Sequence, residues 1–384
     1  METDILVVGA GPAGLAVAAM LAGHGRRPEV IERSDAVGSS WRQHYERLHL
    51  HTVKQHSALP GLPFAEHLPR YVPRQGVVDY LAGYASHFDI RPRFGAEVVG
   101  VRPAEGGWRT MLAPGEVIGS RHVVVGTGAN IHPVLPSFDG EATFGGDIVH
   151  SGRYRSAEPF RGRRVLVVGM GNTGAEIALD LCEHGVGAAI SARSPVNIVH
   201  RDVLGRPTQL TSMMLGRLPH AWGDALAGWL RDLTVGDLRR HGIRTPASSP
   251  LADLRQRGRT PVIDVGTLKR IRAGEIAVHP GIERLQPGGV RFVDGREAGF
   301  DAVIAATGYR SGIAELFAGS AVPLDASGLP TELVGRGAMA GVYFVGFDTR
   351  QPGGLLRTIG QQATAVAEAI CAGPPDAGRR QSAP

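Results

Sequence analysis

The chain alternates short apolar runs with amphipathic stretches over most of its length. An apolar run at 5–8 precedes a helical pattern at 15–22, and a second apolar run follows. The same order returns later, with an apolar run at 164–168, a helical pattern at 175–183 and another apolar run. Single strands that alternate with single helices predict an α/β fold, here with two βα units of the same kind.

Further elements are predicted by the same patterns. A helix-rich stretch is predicted at 203–257, where Trp222, Leu226 and Trp229 share one helical face. We interpret this face as directed into the core. The remaining predicted elements are a helix at 77–87, strands at 122–125, 290–293, 302–305 and 341–347, and a final helix at 355–371.

Each βα unit carries a glycine fingerprint in its turn, GAGPAG at Gly9–Gly14 and GMGNTG at Gly169–Gly174. In such a turn the first glycine allows a sharp bend, the second lets the backbone approach a pyrophosphate, and the third lets helix and strand pack closely. The N-terminus of the helix then stabilises the phosphate charge. Two fingerprints in one chain therefore predict two dinucleotides held face to face.

The two units differ at the end of their second strand. The first strand ends in Glu32, whose carboxylate is placed to accept hydrogen bonds from adenosine ribose hydroxyls. The second is followed by Arg193 and Ser194 with no acid nearby, and a guanidinium pairs well with a ribose 2′-phosphate. The first site is therefore predicted to bind FAD and the second NADPH.

Between the fingerprints lies the segment FGGDIVHSGRY, Phe144–Tyr154. Its spacing of Phe, Gly, His and Tyr resembles the identifying motif of class B flavin-dependent monooxygenases. The resemblance implies that His150 relays the domain closure that NADPH binding requires. Tyr154 stands where Baeyer–Villiger members typically carry tryptophan, which argues against the ketone-oxygenating branch.

Longer stretches resemble the YUCCA flavin monooxygenases, among them YERLHLHTVKQHSALPGLPF from Tyr45 and VIAATGYRS from Val303. The similarity spans nearly the whole chain. It implies an NADPH- and O2-dependent FAD monooxygenase acting through a flavin C4a-(hydro)peroxide, with oxidative decarboxylation of an aromatic 2-oxo acid such as indole-3-pyruvate to indole-3-acetate. The alternatives are N- or S-hydroxylation of a small amine or thioether, an NADPH-dependent flavin reductase, and a sensor that binds FAD and NADPH without turnover.

One difference within this resemblance bears on the reaction. In amine- and sulfur-oxygenating relatives, a Y-x-x-L-x-x-N-x-x-K stretch supplies an asparagine near the flavin, and here His51 takes its place. An imidazole or an ammonium near the flavin favours a deprotonated peroxide, which attacks a keto carbon. His51 and Lys54 are therefore candidate catalytic residues, together with His150 and Tyr154.

The fingerprints and the resemblance also assign residues to cofactor binding, and no metal site is predicted. The candidate cofactor-binding residues are Gly9, Gly11, Pro12, Ala13, Gly14, Glu32, Arg33, Trp41, Arg42, Thr127, Gly128, Gly169, Gly171, Asn172, Thr173, Gly174, Arg193, Ser194, Thr307, Gly308, Tyr309 and Asp348.

These assignments imply two Rossmann-like domains, with the NADPH domain inserted into the FAD domain. The FAD domain is predicted to comprise 1–150 and 309–372. The NADPH domain is predicted at 151–308, with a helical insertion at 203–257. A disordered tail is predicted at 373–384.

Composition narrows the class of protein. The 384 residues include 41 basic and 36 acidic ones without a basic block, which disfavours nucleic acid as a partner. Cys182 and Cys371 are the only cysteines and form no CxxC pair, which fits a reducing cytoplasm and disfavours a dithiol reductase. The uncharged stretch from 5 to 23 is broken by glycine and proline, so we interpret it as a βα unit and predict no membrane segment. A small-molecule substrate and O2 are the predicted partners, and a homodimer remains open.

Overall fold

Residues 1–372 are described by the computed structural model of the protein, and the tail predicted to be disordered lies outside these residues. The strands are β1 (Glu2–Val8), β2 (Glu29–Ile31), β3 (Val98–Ala104), β4 (Gly107–Leu112), β5 (Val117–Val125), β6 (His132–Pro133), β7 (Asp147–His150), β8 (Arg164–Val168), β9 (Gly187–Ser191), β10 (Ile198–His200), β11 (Asp202–Val203), β12 (Arg206–Pro207), β13 (Val262–Asp264), β14 (Ala277–His279), β15 (Ile282–Gln286), β16 (Gly289–Phe292), β17 (Glu297–Gly299), β18 (Ala302–Ala305), β19 (Tyr309–Arg310) and β20 (Val342–Phe344). The α-helices are α1 (Pro12–Gly23), α2 (Ser39–Arg42), α3 (Arg74–His87), α4 (Asn172–Glu183), α5 (Thr208–Leu215), α6 (His220–Val235), α7 (Pro250–Arg257), α8 (Thr267–Arg272), α9 (Ile313–Leu316) and α10 (Leu355–Ala372).

The first domain is built on a six-stranded sheet. Its order is β2-β1-β5-β4-β3, and β20 pairs with the carboxyl-terminal part of β5. The strands β1, β2, β5 and β20 run parallel, whereas β4 and β3 extend the sheet in antiparallel fashion. The helices α1, α3 and α10 bury one face of this sheet in a shared apolar core. The predicted strands at 122–125 and 341–347 thus lie side by side in the first domain.

The second domain is built on a five-stranded parallel sheet of order β14-β9-β8-β18-β7. The helices α4 and α8 pack on one face, and the antiparallel strands β15, β16 and β17 cover the other. A parallel sheet covered on both faces needs continuous apolar strands. This requirement explains the uninterrupted apolar runs in β8 and β18.

The strand β7 connects the two domains. It pairs along its whole length with β18, so Asp147–His150 belong to the sheet of the second domain. The predicted division at residue 150 therefore falls at the carboxyl end of a strand of the second sheet, and the chain enters the second domain before Asp147. The chain returns through β19, which pairs with β6 of the first domain.

The helical insertion contains the hairpin of β11 and β12 followed by α5, α6 and α7. The prediction that Trp222, Leu226 and Trp229 face the core is wrong, since Trp222 is 75% exposed and Trp229 is 58% exposed. The opposite face of α6 packs inward through Gly223, Ala227, Arg231 and Val235. A Cβ at Gly223 would lie 2.6 Å from the Leu215 carbonyl oxygen.

Within residues 1–372, no helix combines the length and the apolar composition needed to cross a membrane.

Candidate functional site

The two glycine turns have the same backbone geometry. Gly9 and Gly169 both adopt a φ of +107°, a conformation that favours glycine. A Cβ at Gly9 would lie 2.7 Å from the carbonyl oxygen of Gly126, and one at Gly169 would lie 2.6 Å from that of Ala306. Each turn is therefore closed against the neighbouring strand of its own sheet.

Gly11 and Gly171 are the open positions of the turns. A Cβ on either residue would meet no heavy atom within 4 Å. Each is the N-cap of its helix and provides no side-chain cap, so the N–H groups of the first turn are left for a ligand. This arrangement fits a pyrophosphate at each turn. The other fingerprint residues form the first turns of α1 and α4, namely Pro12, Ala13, Gly14, Thr173 and Gly174.

Glu32 holds the first turn in place. Its Oε2 accepts a hydrogen bond from the Ala10 N–H at 2.8 Å, and its Oε1 accepts from the Ser34 N–H at 3.0 Å. A carboxylate offers about four lone-pair sites, so capacity remains for ribose hydroxyls. Close to Gly9, the Thr127 hydroxyl is buried and has no hydrogen-bond partner among the described residues. An orphaned hydroxyl beside an open turn fits bound FAD.

The other residues predicted near the first nucleotide take varied positions. Arg33 is exposed, and Trp41 is partly buried against the core of the first domain. Arg42 donates from Nε to the Val37 carbonyl at 3.1 Å, and Asp348 accepts from the Arg350 N–H at 2.9 Å. Asp348 also lines a cavity of about 440 Å³ beside α10. Gly128 adopts a φ of +82° in the turn after β5.

In the second domain, Arg193 and Ser194 are exposed beyond the carboxyl end of β9. The Arg244 guanidinium donates to the carbonyl oxygen of Arg193, so two guanidinium groups belong to this corner. Two cations at the expected ribose position suit a 2′-phosphate. The composition of this corner therefore fits NADPH.

Asn172 serves the fold rather than an open site. Its Oδ1 accepts from the Ile263 N–H at 2.7 Å, and its Nδ2 donates to the Pro261 carbonyl at 3.2 Å. These bonds attach the start of α4 to β13. Both functional atoms of the amide are thus engaged within the protein, although sequence reasoning assigned Asn172 to the cofactor.

His51 lies between the two domains. Its Nε2 is 2.6 Å from Oε1 of Glu176, a side chain that is only 5% exposed on α4. The Tyr45 hydroxyl donates to the same oxygen at 3.2 Å, and burial together with this carboxylate raises the pKa of Tyr45. Arg47 forms an ion pair with Glu183 further along α4. A short segment of the first domain, 45–51, is therefore fastened to the helix that follows the second fingerprint.

The next residues of this segment contact the start of α10. A Cβ at Gly354 would lie 2.6 Å from Cγ2 of Thr52. Gln209 accepts from the Val53 N–H at 2.7 Å and donates to the Gly353 carbonyl at 2.6 Å. The segment after His51, the insertion helix α5 and the N-terminal end of α10 thus meet at one place. A helix N-terminus favours negative charge there.

Lys54 does not join this group. Its ammonium donates to the carbonyl oxygens of Ala65 at 3.2 Å, Glu66 at 2.6 Å and Leu68 at 2.5 Å. Three carbonyl acceptors satisfy all three donors of an ammonium. The geometry therefore gives Lys54 the role of fixing the loop at 65–68, in place of the catalytic role predicted for it.

His150 joins the interdomain strand to the turn after β18. Its Nε2 lies 3.0 Å from the Gly308 carbonyl oxygen, and its Nδ1 accepts from the Gly152 N–H at 3.1 Å. Burial lowers the pKa of His150, so the neutral ring is favoured. Tyr309 packs edge-on against the imidazole, and Thr307 donates to the Val134 carbonyl at 2.5 Å. Both ring nitrogens of His150 are therefore used to hold the two crossings between domains.

Tyr154 lies in the core of the second domain and is only 2% exposed. Its hydroxyl donates to Asp180 at 2.5 Å, and its ring stacks on Phe160. Burial and the Asp180 carboxylate raise the pKa of Tyr154. Its ring also packs edge-on against Tyr45, with 6.4 Å between the ring centroids, and its hydroxyl is engaged by Asp180, so the geometry gives Tyr154 a role in packing in place of the catalytic role predicted for it.

Three contributors were missed by sequence reasoning, namely Glu176, Gln209 and Arg244. A signal existed for Glu176, because a carboxylate on the buried face of a helix requires a partner. Gln209 and Arg244 carried no local signal, since each acts on backbone atoms far away in sequence.

Known proteins resemble this chain over most of its length. The sequence profile of the flavin-binding monooxygenase-like family matches residues 2–318. Indole-3-pyruvate monooxygenase YUCCA1 of Oryza sativa subsp. japonica is 41% identical over 362 residues, covering 92% of this chain and 88% of its own length. Probable indole-3-pyruvate monooxygenase YUCCA7 of Arabidopsis thaliana is 39% identical over 364 residues, covering 90% and 83%.

Solved structures agree on the fold. The flavin-containing monooxygenase of Stenotrophomonas maltophilia superposes with a TM-score of 0.75 at 22% identity, covering 97% of this chain and 98% of that one. A steroid monooxygenase bound to NADP gives a TM-score of 0.75 at 19% identity, covering 97% and 86%. The two-nucleotide architecture and the full-length similarity agree: the chain belongs to the flavin-binding monooxygenase-like family, as a YUCCA-type, NADPH-dependent class B monooxygenase that uses FAD.

Proposed function

We propose that the enzyme oxidatively decarboxylates indole-3-pyruvate or a closely similar aromatic 2-oxo acid. The observation that carries this proposal is the imidazole of His51, held by the buried carboxylate of Glu176, where amine-oxygenating relatives are expected to have asparagine. The plant relatives, which are named for activity on indole-3-pyruvate, match about nine-tenths of this chain, including that segment.

FAD would be held by the turn at Gly11 with Glu32 and Thr127, and NADPH by the turn at Gly171 with Arg193. When bound, the pair supplies the electrons and the activation of O2. The protein has to place the two nucleotides against each other and exclude water. The segment 45–51 serves the first task, because it belongs to the first domain and is bonded to α4 of the second.

His51 contributes a proton acceptor at a fixed atom. Since Glu176 accepts at Nε2, the ring presents the lone pair of Nδ1 away from α4. A carboxylate partner fixes the tautomer and the orientation of the imidazole ring. A base at this position favours the deprotonated, nucleophilic form of activated oxygen that attack on a keto carbon requires.

The place where the segment meets α10 adds to this environment. Leu50 and Val53 are 6% and 4% exposed on either side of His51 and Thr52. The N-terminal end of α10 begins directly beside Thr52, so negative charge that develops there is stabilised. Burial and positive potential together protect and stabilise an anionic reacting group.

The proposal includes a reducing, cytoplasmic compartment. It is supported by the two free cysteines and by the absence of a disulfide among residues 1–372. The same cysteines do not support a disulfide reductase, since Cys182 has a pKa raised by burial and no second thiol beside it in the described structure.

The test uses FAD-loaded protein with NADPH, O2 and indole-3-pyruvate, and identifies the products by mass. We expect NADPH oxidation to accelerate with substrate and to yield CO2 and indole-3-acetate. Oxygen gain without loss of CO2 from an amine or thioether would instead assign the protein to the hydroxylating branch. NADPH oxidation that no aryl pyruvate accelerates would overturn the proposal.

The site is tested in the same assay by Glu176→Gln and a matched control, Asp180→Asn, one turn along the same helix. Glu176→Gln is expected to divert most NADPH consumption to H2O2 and to lower product formation about 10-fold, because the amide no longer fixes the tautomer and orientation of the His51 ring. Asp180→Asn is expected to lower thermal stability and leave the ratio of product to NADPH unchanged. Equal ratios in the two variants would refute the role of His51.

A further inference from the structure

Two arginines are attached to the segment that links the domains. The Arg74 N–H donates to the Leu48 carbonyl oxygen at 2.7 Å, and the Glu46 N–H donates to the Arg155 carbonyl oxygen at 2.9 Å. Arg74 begins α3 of the first domain, whereas Arg155 follows β7 at the start of the second. Each domain therefore brings one arginine to the same short stretch of chain.

Neither guanidinium is neutralised by an ion pair within the described structure. Arg74 donates from Nη1 to the Arg42 carbonyl at 2.8 Å, and its Nε is buried without a hydrogen-bond partner among residues 1–372. Arg155 donates from Nη1 to the carbonyl oxygens of Gly152 at 2.8 Å and Tyr154 at 3.0 Å. A buried donor without a partner destabilises the protein unless a ligand accepts from it.

The imidazole of His44 lies close to both arginines. Its pKa is lowered first by burial and then by the guanidinium groups of Arg155 and Arg74, whereas the carboxylate of Glu176 acts to raise it. A neutral ring offers one N–H to a ligand. Two positive charges against the one negative charge of Glu176 leave a single positive charge, which matches a monoanion. Since Glu176 also holds His51 at 2.6 Å, these charges lie beside the base proposed above.

We propose that Arg74 and Arg155, together with the N–H of His44, bind the carboxylate of the substrate. The inference rests on the oxidative decarboxylation proposed above. In a 2-oxo acid the carboxylate is bonded directly to the keto carbon, so the groups that serve the two must be neighbours. Here both surround Glu176. A planar guanidinium can donate to both oxygens of a carboxylate at once.

The surroundings favour an aromatic carboxylate over the pyrophosphate of a nucleotide. Each glycine turn already offers a pyrophosphate the uncapped N-terminus of its own helix. The buried charge of Glu176 opposes the second negative charge that a pyrophosphate would bring. Trp41 packs edge-on against His44, with 6.0 Å between the ring centroids, so an aromatic side chain adjoins the cationic group.

The experiment measures binding without turnover. FAD-loaded protein with NADP+ and no reductant is titrated calorimetrically with indole-3-pyruvate, with indole-3-acetate and with the neutral indole-3-acetamide. For the wild type we expect both acids to bind at least about 10-fold more tightly than the amide. Arg74→Met and Arg155→Met should each weaken binding of the acids about 10- to 100-fold and change that of the amide by less than about twofold. Arg74→Lys should recover part of the loss, because it keeps the charge without the planar fork.

Arg109→Met, at an exposed arginine on β4, is the matched control and should bind all three ligands like the wild type. FAD content and melting temperature show whether each variant folds. Unchanged affinity for the acids in the variants at 74 and 155 would overturn the proposal, as would equal affinity of the wild type for acids and amide. Weaker binding of FAD or NADP+ with unchanged binding of the acids would assign the two charges to a pyrophosphate and also overturn it.

The titration is independent of the reaction that the enzyme performs. A protein that oxygenates only amines or thioethers, yet binds indole-3-acetate through Arg74, would fail the turnover test above and keep this carboxylate site. A protein that decarboxylates indole-3-pyruvate while both methionine variants bind the acids normally would keep the proposed function and lose the site.

Discussion

In the first domain the Gly9 N–H donates to the carbonyl of Ile31 at 2.8 Å, and in the second the Gly169 N–H donates to that of Ser191 at 2.9 Å. The N–H groups of Glu32 and Ala192 also donate in the same way to the neighbouring segment, at the carbonyl oxygens of Arg93 and His279. Glu32 of the first domain therefore corresponds to Ala192 of the second. The backbone hydrogen bonds of the two domains agree here, whereas the side chains of Glu32 and Ala192 differ.

This difference indicates which residues decide between a nucleotide with a 2′-phosphate and one without it. Arg33 and Arg193 occupy corresponding positions, and both are exposed. In the first domain the preceding carboxylate of Glu32 ties down the turn, and its charge opposes a 2′-phosphate. In the second domain Ala192 removes that charge, and Arg244 adds a second guanidinium. The preference for a 2′-phosphate therefore depends on the residues beside Arg33 and Arg193, and not on these arginines alone.

The largest expected effect comes from filling one open turn at a time. Gly11→Val should fold but bind FAD at least about 100-fold more weakly, because a side chain there would displace the phosphate from two or more charge-assisted hydrogen bonds. Gly171→Val should retain FAD and its yellow colour, yet resist anaerobic bleaching by NADPH. FAD content and anaerobic absorbance at the flavin band measure the two outcomes. Loss of FAD from both variants would contradict the separate assignment of the sites.

A smaller effect is expected at the corresponding arginines. Arg193→Ala should raise the KM for NADPH about 10- to 100-fold and leave the KM for NADH nearly unchanged, because only NADPH offers the 2′-phosphate. Arg33→Ala is the matched control and should change neither value. Ala192→Glu should move the preference further towards NADH by adding the opposing carboxylate. Steady-state kinetics with NADPH and with NADH measure the two KM values. An equal rise in the KM for NADH would contradict the role of Arg193.

The sequence predicted the turns and strands of both domains because the rules that determine them are local. The position of the first glycine, the apolar strand before it and the helix after it are all read within about 20 residues. Lys54 was misassigned because its acceptors belong to another loop, which periodicity does not locate. The face of α6 was misassigned because the pattern identifies an apolar side and not its direction, and here the small residues Gly223 and Ala227 pack inward instead.

The smallest effect concerns pH and the hinge between the domains. Burial lowers the pKa of His150 below its ordinary 6.5, so the unfolded chain binds a proton more readily than the folded one. Its stabilising contribution is complete above pH 6.5 and is lost as pH falls from there towards the folded pKa. The loss is at most about 1.4 kcal/mol for each pH unit in that window. Protonation would also place a hydrogen on Nδ1 of His150, which now accepts a hydrogen bond from the Gly152 N–H. Two N–H groups would then face each other.

His150→Gln removes this titration and should flatten the fall in melting temperature between pH 6.5 and 5, although the lowered pKa values of His44, His122 and His279 leave part of it. His24→Gln, at an exposed histidine, is the matched control and should follow the wild type. Thermal unfolding of the FAD-loaded proteins across this range gives the comparison. A variant at position 150 that loses stability in acid as steeply as the wild type would show that the hinge histidine is not held neutral by the crossing between the two domains.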